Sequence, residues 1–173
     1  DISLLPAGNY YVTITDSGNC SISDSLTIEQ PNSEIAILYN QQNVSCYGLS
    51  DGSLNISVSG GTSPYSYIWS NGVSIEDLSN LIAGIYTLTV SDINNCSYSE
   101  SISITQPSAL GLSFNTSNVS CFGINNGAID LSVSGGTQAF SYIWSNSETD
   151  EDIQNLYAGT YLISVEDVNG CVI

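Results

Sequence analysis

The feature that most constrains this chain is a period of 75 to 76 residues. Leu54-Asn55-Ile56-Ser57-Val58-Ser59-Gly60-Gly61-Thr62 returns as Ile129-Asp130-Leu131-Ser132-Val133-Ser134-Gly135-Gly136-Thr137. Ser66-Tyr67-Ile68-Trp69-Ser70-Asn71 returns unchanged at Ser141–Asn146, and Asn43-Val44-Ser45-Cys46 returns unchanged at Asn118–Cys121. A fixed period of this length means copies of one folding unit in series. Such arrays hold, span or bind more often than they catalyse.

The phase of the period predicts the modules. Ala7-Gly8-Asn9-Tyr10 with Asp16 and Cys20 corresponds to Ala83-Gly84-Ile85-Tyr86 with Asp92 and Cys96, and again to Ala158-Gly159-Thr160-Tyr161 with Asp167 and Cys171. Gln30-Pro31 and Gln106-Pro107 mark the boundaries, because proline interrupts a strand ladder. The expected division is residues 1–31 as the C-terminal part of one module, 32–107 as a complete module, and 108–173 as a module lacking its last strand. On this reading the chain is a window on a longer array.

Within a module the apolar residues alternate. Leu54, Ile56 and Val58 are separated by Asn55 and Ser57; Tyr86, Leu88 and Val90 by Thr87 and Thr89; Tyr161, Ile163 and Val165 repeat the pattern. Period two with one wet face means strands, and Gly60-Gly61, Asn71-Gly72, Asn94-Asn95 and Asn169-Gly170 supply turns. The complete module predicts about seven strands, near 35–40, 53–59, 65–70, 73–76, 78–81, 85–91 and 98–105. That is an all-β fold, a two-sheet sandwich with Greek-key connections. Trp69 and Trp144 are expected in the core beside Tyr67 and Tyr142, as an indole in such a sandwich is mostly buried.

Taken in order, Gly-Gly-Thr, Tyr-x-Tyr-x-Trp-Ser-Asn, Glu-Asp-(x)3-Leu-x-Ala-Gly-x-Tyr and Asp-x-Asn-x-Cys resemble the SprB repeat of very large Bacteroidetes cell-surface proteins, including the gliding-motility adhesin. The resemblance covers nearly all of 32–173 and part of 1–31. The related polycystic-kidney-disease-type sandwich shares the Gly-x-Tyr-x-Val-x-Val strand. The resemblance implies tandem immunoglobulin-like modules stacked end to end, export by the type IX system and a place in surface filaments. It brings no catalytic residue. The Pro64-Tyr65 that follows Gly-Gly-Thr is replaced by Ala139-Phe140 in the last module.

Composition narrows the chemistry. The 173 residues include 17 acidic side chains and no Lys, Arg or His, a net charge of −17. Nucleic acid and anionic membrane surfaces are both bound through cations that this chain does not have. Like-charged modules repel, which favours solubility. Trypsin-like cleavage and Lys–Asn cross-links are impossible. No apolar run reaches the length of a membrane span. Without histidine, lysine or arginine, catalysis has neither a ready base nor a cationic stabiliser, so no enzyme and no catalytic residue is expected.

Five cysteines occupy two positions of the module: Cys46 and Cys121 before the second strand, and Cys20, Cys96 and Cys171 after the sixth. Recurrence in an extracellular-looking array argues for disulfides. Metal binding is disfavoured, as there is neither Cys-x-x-Cys nor histidine. The pairing adopted closes each module, Cys46–Cys96 and Cys121–Cys171, with Cys20 bonded to a residue outside the chain. The alternative is Cys46–Cys171, between modules. It follows if the first turn and the last hairpin lie at opposite ends of a sandwich.

Other motifs are weaker. Glu76-Asp77 recurs as Glu151-Asp152, an acidic corner that offers calcium the best of the available ligands; Asp51 is a second candidate, undercut by Asn126 at the equivalent position. No other cofactor is expected. Asp24-Ser25-Leu26 fits a short O-glycosylation pattern at Ser25, and Asn43, Asn55, Asn115 and Asn118 fit the N-glycosylation triplet by chance in an Asn- and Ser-rich chain. The function expected is a stalk or filament segment of a large secreted surface adhesin, extracellular, with neighbouring modules of the same chain as partners and self-assembly into filaments open. The alternative is a carbohydrate-binding array, with Tyr39, Tyr98 and Phe114 as the stacking candidates.

Overall fold

A computed structural model describes residues 2–31 and 33–173. The described residues form thirteen strands and no helix: β1 (Gly8–Thr15), β2 (Ser21–Ile28), β3 (Ala36–Gln42), β4 (Gly52–Ser59), β5 (Ser66–Trp69), β6 (Leu78–Leu81), β7 (Gly84–Ser91), β8 (Ser97–Ile104), β9 (Gly111–Ser117), β10 (Gly127–Ser134), β11 (Phe140–Trp144), β12 (Ile153–Leu156) and β13 (Ile163–Asp167).

Two antiparallel sheets, β3-β4-β6 and β5-β7-β8, face each other across one core. The alternation read from the sequence supplies it. Leu54 and Ile56 point inward from β4, Leu88 and Val90 from β7, and Ile102 and Ile104 from β8, all buried. Trp69 is 1% exposed and stands opposite Leu88 in the β5–β7 ladder, with its indole N–H donating to the Ile75 carbonyl at 2.9 Å. The next period builds the same arrangement from β12-β10-β9 and β11-β13, around Leu131, Trp144, Ile153, Leu156 and Val165. β1 and β2 form a hairpin, the counterpart of β7–β8, with Val12, Ile14, Ile22 and Leu26 exposed.

The complete period holds six strands rather than about seven. Val73-Ser74-Ile75-Glu76 alternates as a strand would, but its carbonyls serve Trp69. Val73 accepts the Trp69 backbone N–H at 2.9 Å, and Ile75 accepts the indole. The segment is therefore a bracket around the tryptophan, and no ladder forms there.

Three tyrosines repeat one local device. Tyr10, Tyr86 and Tyr161 each donate the phenol to a carbonyl four residues upstream, on Pro6, Ile82 and Tyr157. This is the tyrosine corner of immunoglobulin-like sandwiches, at the entry to the strand before the final hairpin. The Gly-Gly pair is equally constrained: a Cβ on Gly60 would overlap the Glu34 carbonyl, and one on Gly135 the Ala109 carbonyl, while both backbones have positive φ. Every buried side-chain nitrogen and oxygen among the described residues has a hydrogen-bond partner.

Candidate functional site at the junction between modules

The first half of the site is the turn after β3. Ser45 N–H donates to Asp51 Oδ1 at 3.0 Å, its hydroxyl donates to the other carboxylate oxygen, and Leu49 N–H closes onto the Cys46 carbonyl at 3.2 Å. Gly48, at φ 78°, lets the chain reverse and donates its N–H to Gln106 Oε1 at 2.9 Å. Val44 N–H reaches the Thr105 carbonyl at 2.9 Å, so the turn is tied to the end of β8 and to the Gln106-Pro107 exit. These hydroxyl and N–H donors hold the Asp51 carboxyl below its ordinary value, the Ser45 side chain contributing most.

The second half is the hairpin after β13. Asp167 is 4% exposed. One carboxylate oxygen accepts N–H groups of Asn169 (2.9 Å) and Cys171 (3.0 Å), and the other accepts Thr137 N–H (2.8 Å). Burial alone would raise its pKa; the N–H donors of Cys171, Thr137 and Asn169 outweigh burial and lower it. Asp92 likewise accepts N–H groups of Asn94, Cys96 and Thr62, and Asp16 accepts those of Gly18 and Cys20. Each hairpin thus presents its cysteine from a carboxylate-organised turn.

The two halves meet across the module boundary. Cys46 is bonded to Cys171, with Cα atoms 5.7 Å apart. Asn169 donates its side-chain amide to the Ser45 carbonyl at 3.2 Å and to Thr137 Oγ1 at 3.1 Å. Tyr47 and Leu49 lie with Pro107, Leu110 and Gly136 around the bond.

The within-module pairs Cys46–Cys96 and Cys121–Cys171 do not form; Cys20, Cys96 and Cys121 are free and exposed. The reason is the length of β8. Cys46 sits at its Ile104 end and Cys96 at its Ser97 end, seven residue steps or roughly 24 Å apart. A disulfide requires Cα atoms within about 7 Å. The first turn of one module instead faces the last hairpin of the next.

The SprB repeat family model matches residues 38–74 and 113–149, each running from the first strand through the cysteine turn and the tryptophan strand. These two segments are similar to the SprB repeat. That similarity points to a surface-adhesin-like repeat region. A comparison with curated proteins yields no match. No helix among the described residues is long and apolar enough to cross a membrane.

The remaining candidates fall into place individually. At the acidic corner of the first of the two modules, Asp77 Oδ1 accepts Ile56 N–H at 2.8 Å and Glu76 accepts the Tyr67 phenol at 2.9 Å. In the second, Asp152 accepts Leu131 N–H at 2.9 Å and Glu151 faces Tyr142. Asp77 and Asp152 extend the ladder beyond short β6 and β12. Among the described residues no three acidic, His or Cys side chains gather as a metal cluster. Ser25 lies exposed in β2. Tyr39 and Phe114 are half-exposed at equivalent positions of β3 and β9, and Tyr98 is half-exposed on β8, its phenol donating to Glu100. The residues that sequence reasoning left without a role are Asp92, Asp167 and Asn169. Their signal was present in the fixed spacing Asp-x-Asn-x-Cys.

Proposed function

We propose that this chain is a stalk segment of a large secreted cell-surface adhesin, in which SprB-type modules stack head to tail and hold their spacing under pull. The observation that carries this reading is the Cys46–Cys171 bond, which joins one module to the next at the point where their ends meet. A bond placed there limits hinging at Gln106-Pro107 and keeps the modules connected when one unfolds. The acidic, cation-free surface keeps neighbouring stalks apart. The exposed surface serves reach.

Small-angle scattering on the oxidised chain, and on chains lengthened by whole modules, tests the proposal. Each added module lengthens the particle by about 35 Å, from strand rise plus turns. Particles that grow compactly, or modules that reorient freely in the oxidised state, overturn it.

A further inference from the structure

The bonded pair is an example of a rule that the unbonded cysteines also fit. We propose that the first-turn cysteine of each module bonds the hairpin cysteine of the module that follows it. On this rule Cys121 takes the hairpin cysteine of a following module, and Cys96 is taken by the first-turn cysteine of a preceding one. The stack becomes a continuous covalent ladder. This rests on the stacking reading above and adds the register of the bonds.

Both loops are built alike in the bonded and unbonded positions. Cys46-Tyr47-Gly48-Leu49 corresponds to Cys121-Phe122-Gly123-Ile124, and Gly48 and Gly123 share φ 78°. Asn126 holds Ser120 N–H at 3.0 Å as Asp51 holds Ser45. Phe122, the counterpart of the junction residue Tyr47, is fully exposed. On the other side, Pro31, Ile35, Gly61 and Cys96 line a groove at the opposite end of the module that carries Cys46. Their counterparts Pro107, Leu110, Gly136 and Cys171 line the groove that receives Cys46, Tyr47 and Leu49. Asn94 occupies the place of Asn169, ready to donate to the carbonyl before an incoming cysteine. The occupant of this face is therefore another module's Cys-aromatic-Gly-aliphatic turn, because that turn already occupies the equivalent face.

Each bond removes two protons and two electrons from a pair of thiols. A disulfide of the glutathione or oxidoreductase class accepts both, through a mixed disulfide, and is released as two thiols.

The test inserts a second copy of residues 32–107 directly after residue 107 of the full chain, with the exposed Ile68 and Ile93 of that second copy changed to valine (Ile68→Val, Ile93→Val) so that its Cys46 and Cys96 fragments differ in mass from those of the first. The protein is oxidised with glutathione disulfide, free thiols are alkylated, and glutamyl endopeptidase fragments are mapped by mass spectrometry. The expected linkages are Cys46 of the first copy to Cys96 of the second, and Cys46 of the second copy to Cys171. Cys20, Cys96 of the first copy and Cys121 remain alkylated. A Cys46–Cys96 bond within one copy, or an alkylated Cys96 in the second copy, overturns the rule. The unextended chain supplies a second reading: it must give Cys46–Cys171 with three alkylated cysteines, and any bond between Cys121 and Cys171 overturns the rule without an insertion. If the lengthened particles remain rods while the bonds scramble, the stalk reading stands and the ladder alone fails.

Discussion

The side-chain amide of Asn169 donates to the carbonyl oxygen of Ser45 at 3.2 Å, across 124 residues of sequence. It fixes the peptide that carries Cys46 beside the hairpin that carries Cys171, independently of the sulfurs. Asn169→Ala removes that contact and leaves both cysteines. An exposed hydrogen bond contributes about 1 kcal/mol, so the Cys46–Cys171 bond should become roughly fivefold easier to reduce. Equilibration with graded glutathione ratios, followed by alkylation, measures this. An unchanged midpoint would mean that the sulfurs find one another without help from Asn169.

Cys46→Ser should leave both cores folded, because neither core cluster includes a cysteine. The bond closes a loop of 125 residues. In the chain-entropy model its removal lowers stability by up to about 5 kcal/mol. Circular dichroism should be unchanged at low temperature, while calorimetry shows a lower and less cooperative transition. Equal melting curves for oxidised and reduced protein would contradict this.

Asp92 is the buried carboxylate that organises a hairpin from within, accepting N–H groups of Thr62, Asn94 and Cys96. Asp92→Ala orphans three donors, each at about 1–3 kcal/mol where water is excluded. A total loss of at least about 3 kcal/mol is expected in urea unfolding. Asp92→Asn keeps an acceptor oxygen and should lose less. The equivalent Asp167 adds a pH signature. Its folded pKa lies below the ordinary 3.8, so its stabilisation is present above that value and is lost as pH falls through the folded pKa. Acid titration of Asp167→Asn should show a smaller loss of stability below about pH 4.

Legibility differed by the range of the interaction. The strands were readable because alternation is local: Leu54, Ile56 and Val58 declare a half-buried strand wherever they sit. Burial of Trp69 followed from its place on such a strand. The segment Val73–Glu76 misled for the same reason, since its alternation is real while its carbonyls are committed to Trp69. Cysteine pairing was not readable from spacing. Which cysteines meet depends on which module ends abut, a relation set by β8's direction and by the Gln106-Pro107 exit. The carboxylates Asp92 and Asp167 looked like surface charge in a chain of net charge −17, and only the folded hairpin shows them turned inward.

The tyrosines offer a check on the packing between Trp69's strand and the acidic corner. Burial, then the hydrogen bond to Glu76, pushes the Tyr67 phenol up to about 12. Burial, then Glu151, raises Tyr142 as well. The neutral phenol is the form that the fold favours. Its contribution is therefore fully present below the unfolded value near 10 and is lost as pH rises from about 10 toward 12. Ultraviolet titration should resolve a late-ionising class among the 11 tyrosines, and stability should fall across the same interval. Tyr67→Phe should remove one late tyrosine and flatten part of that fall; Glu76→Gln should move Tyr67 to lower pH without removing it. If all the tyrosines ionise together near pH 10 in protein that is still folded, the Tyr67–Glu76 contact does not exist in solution.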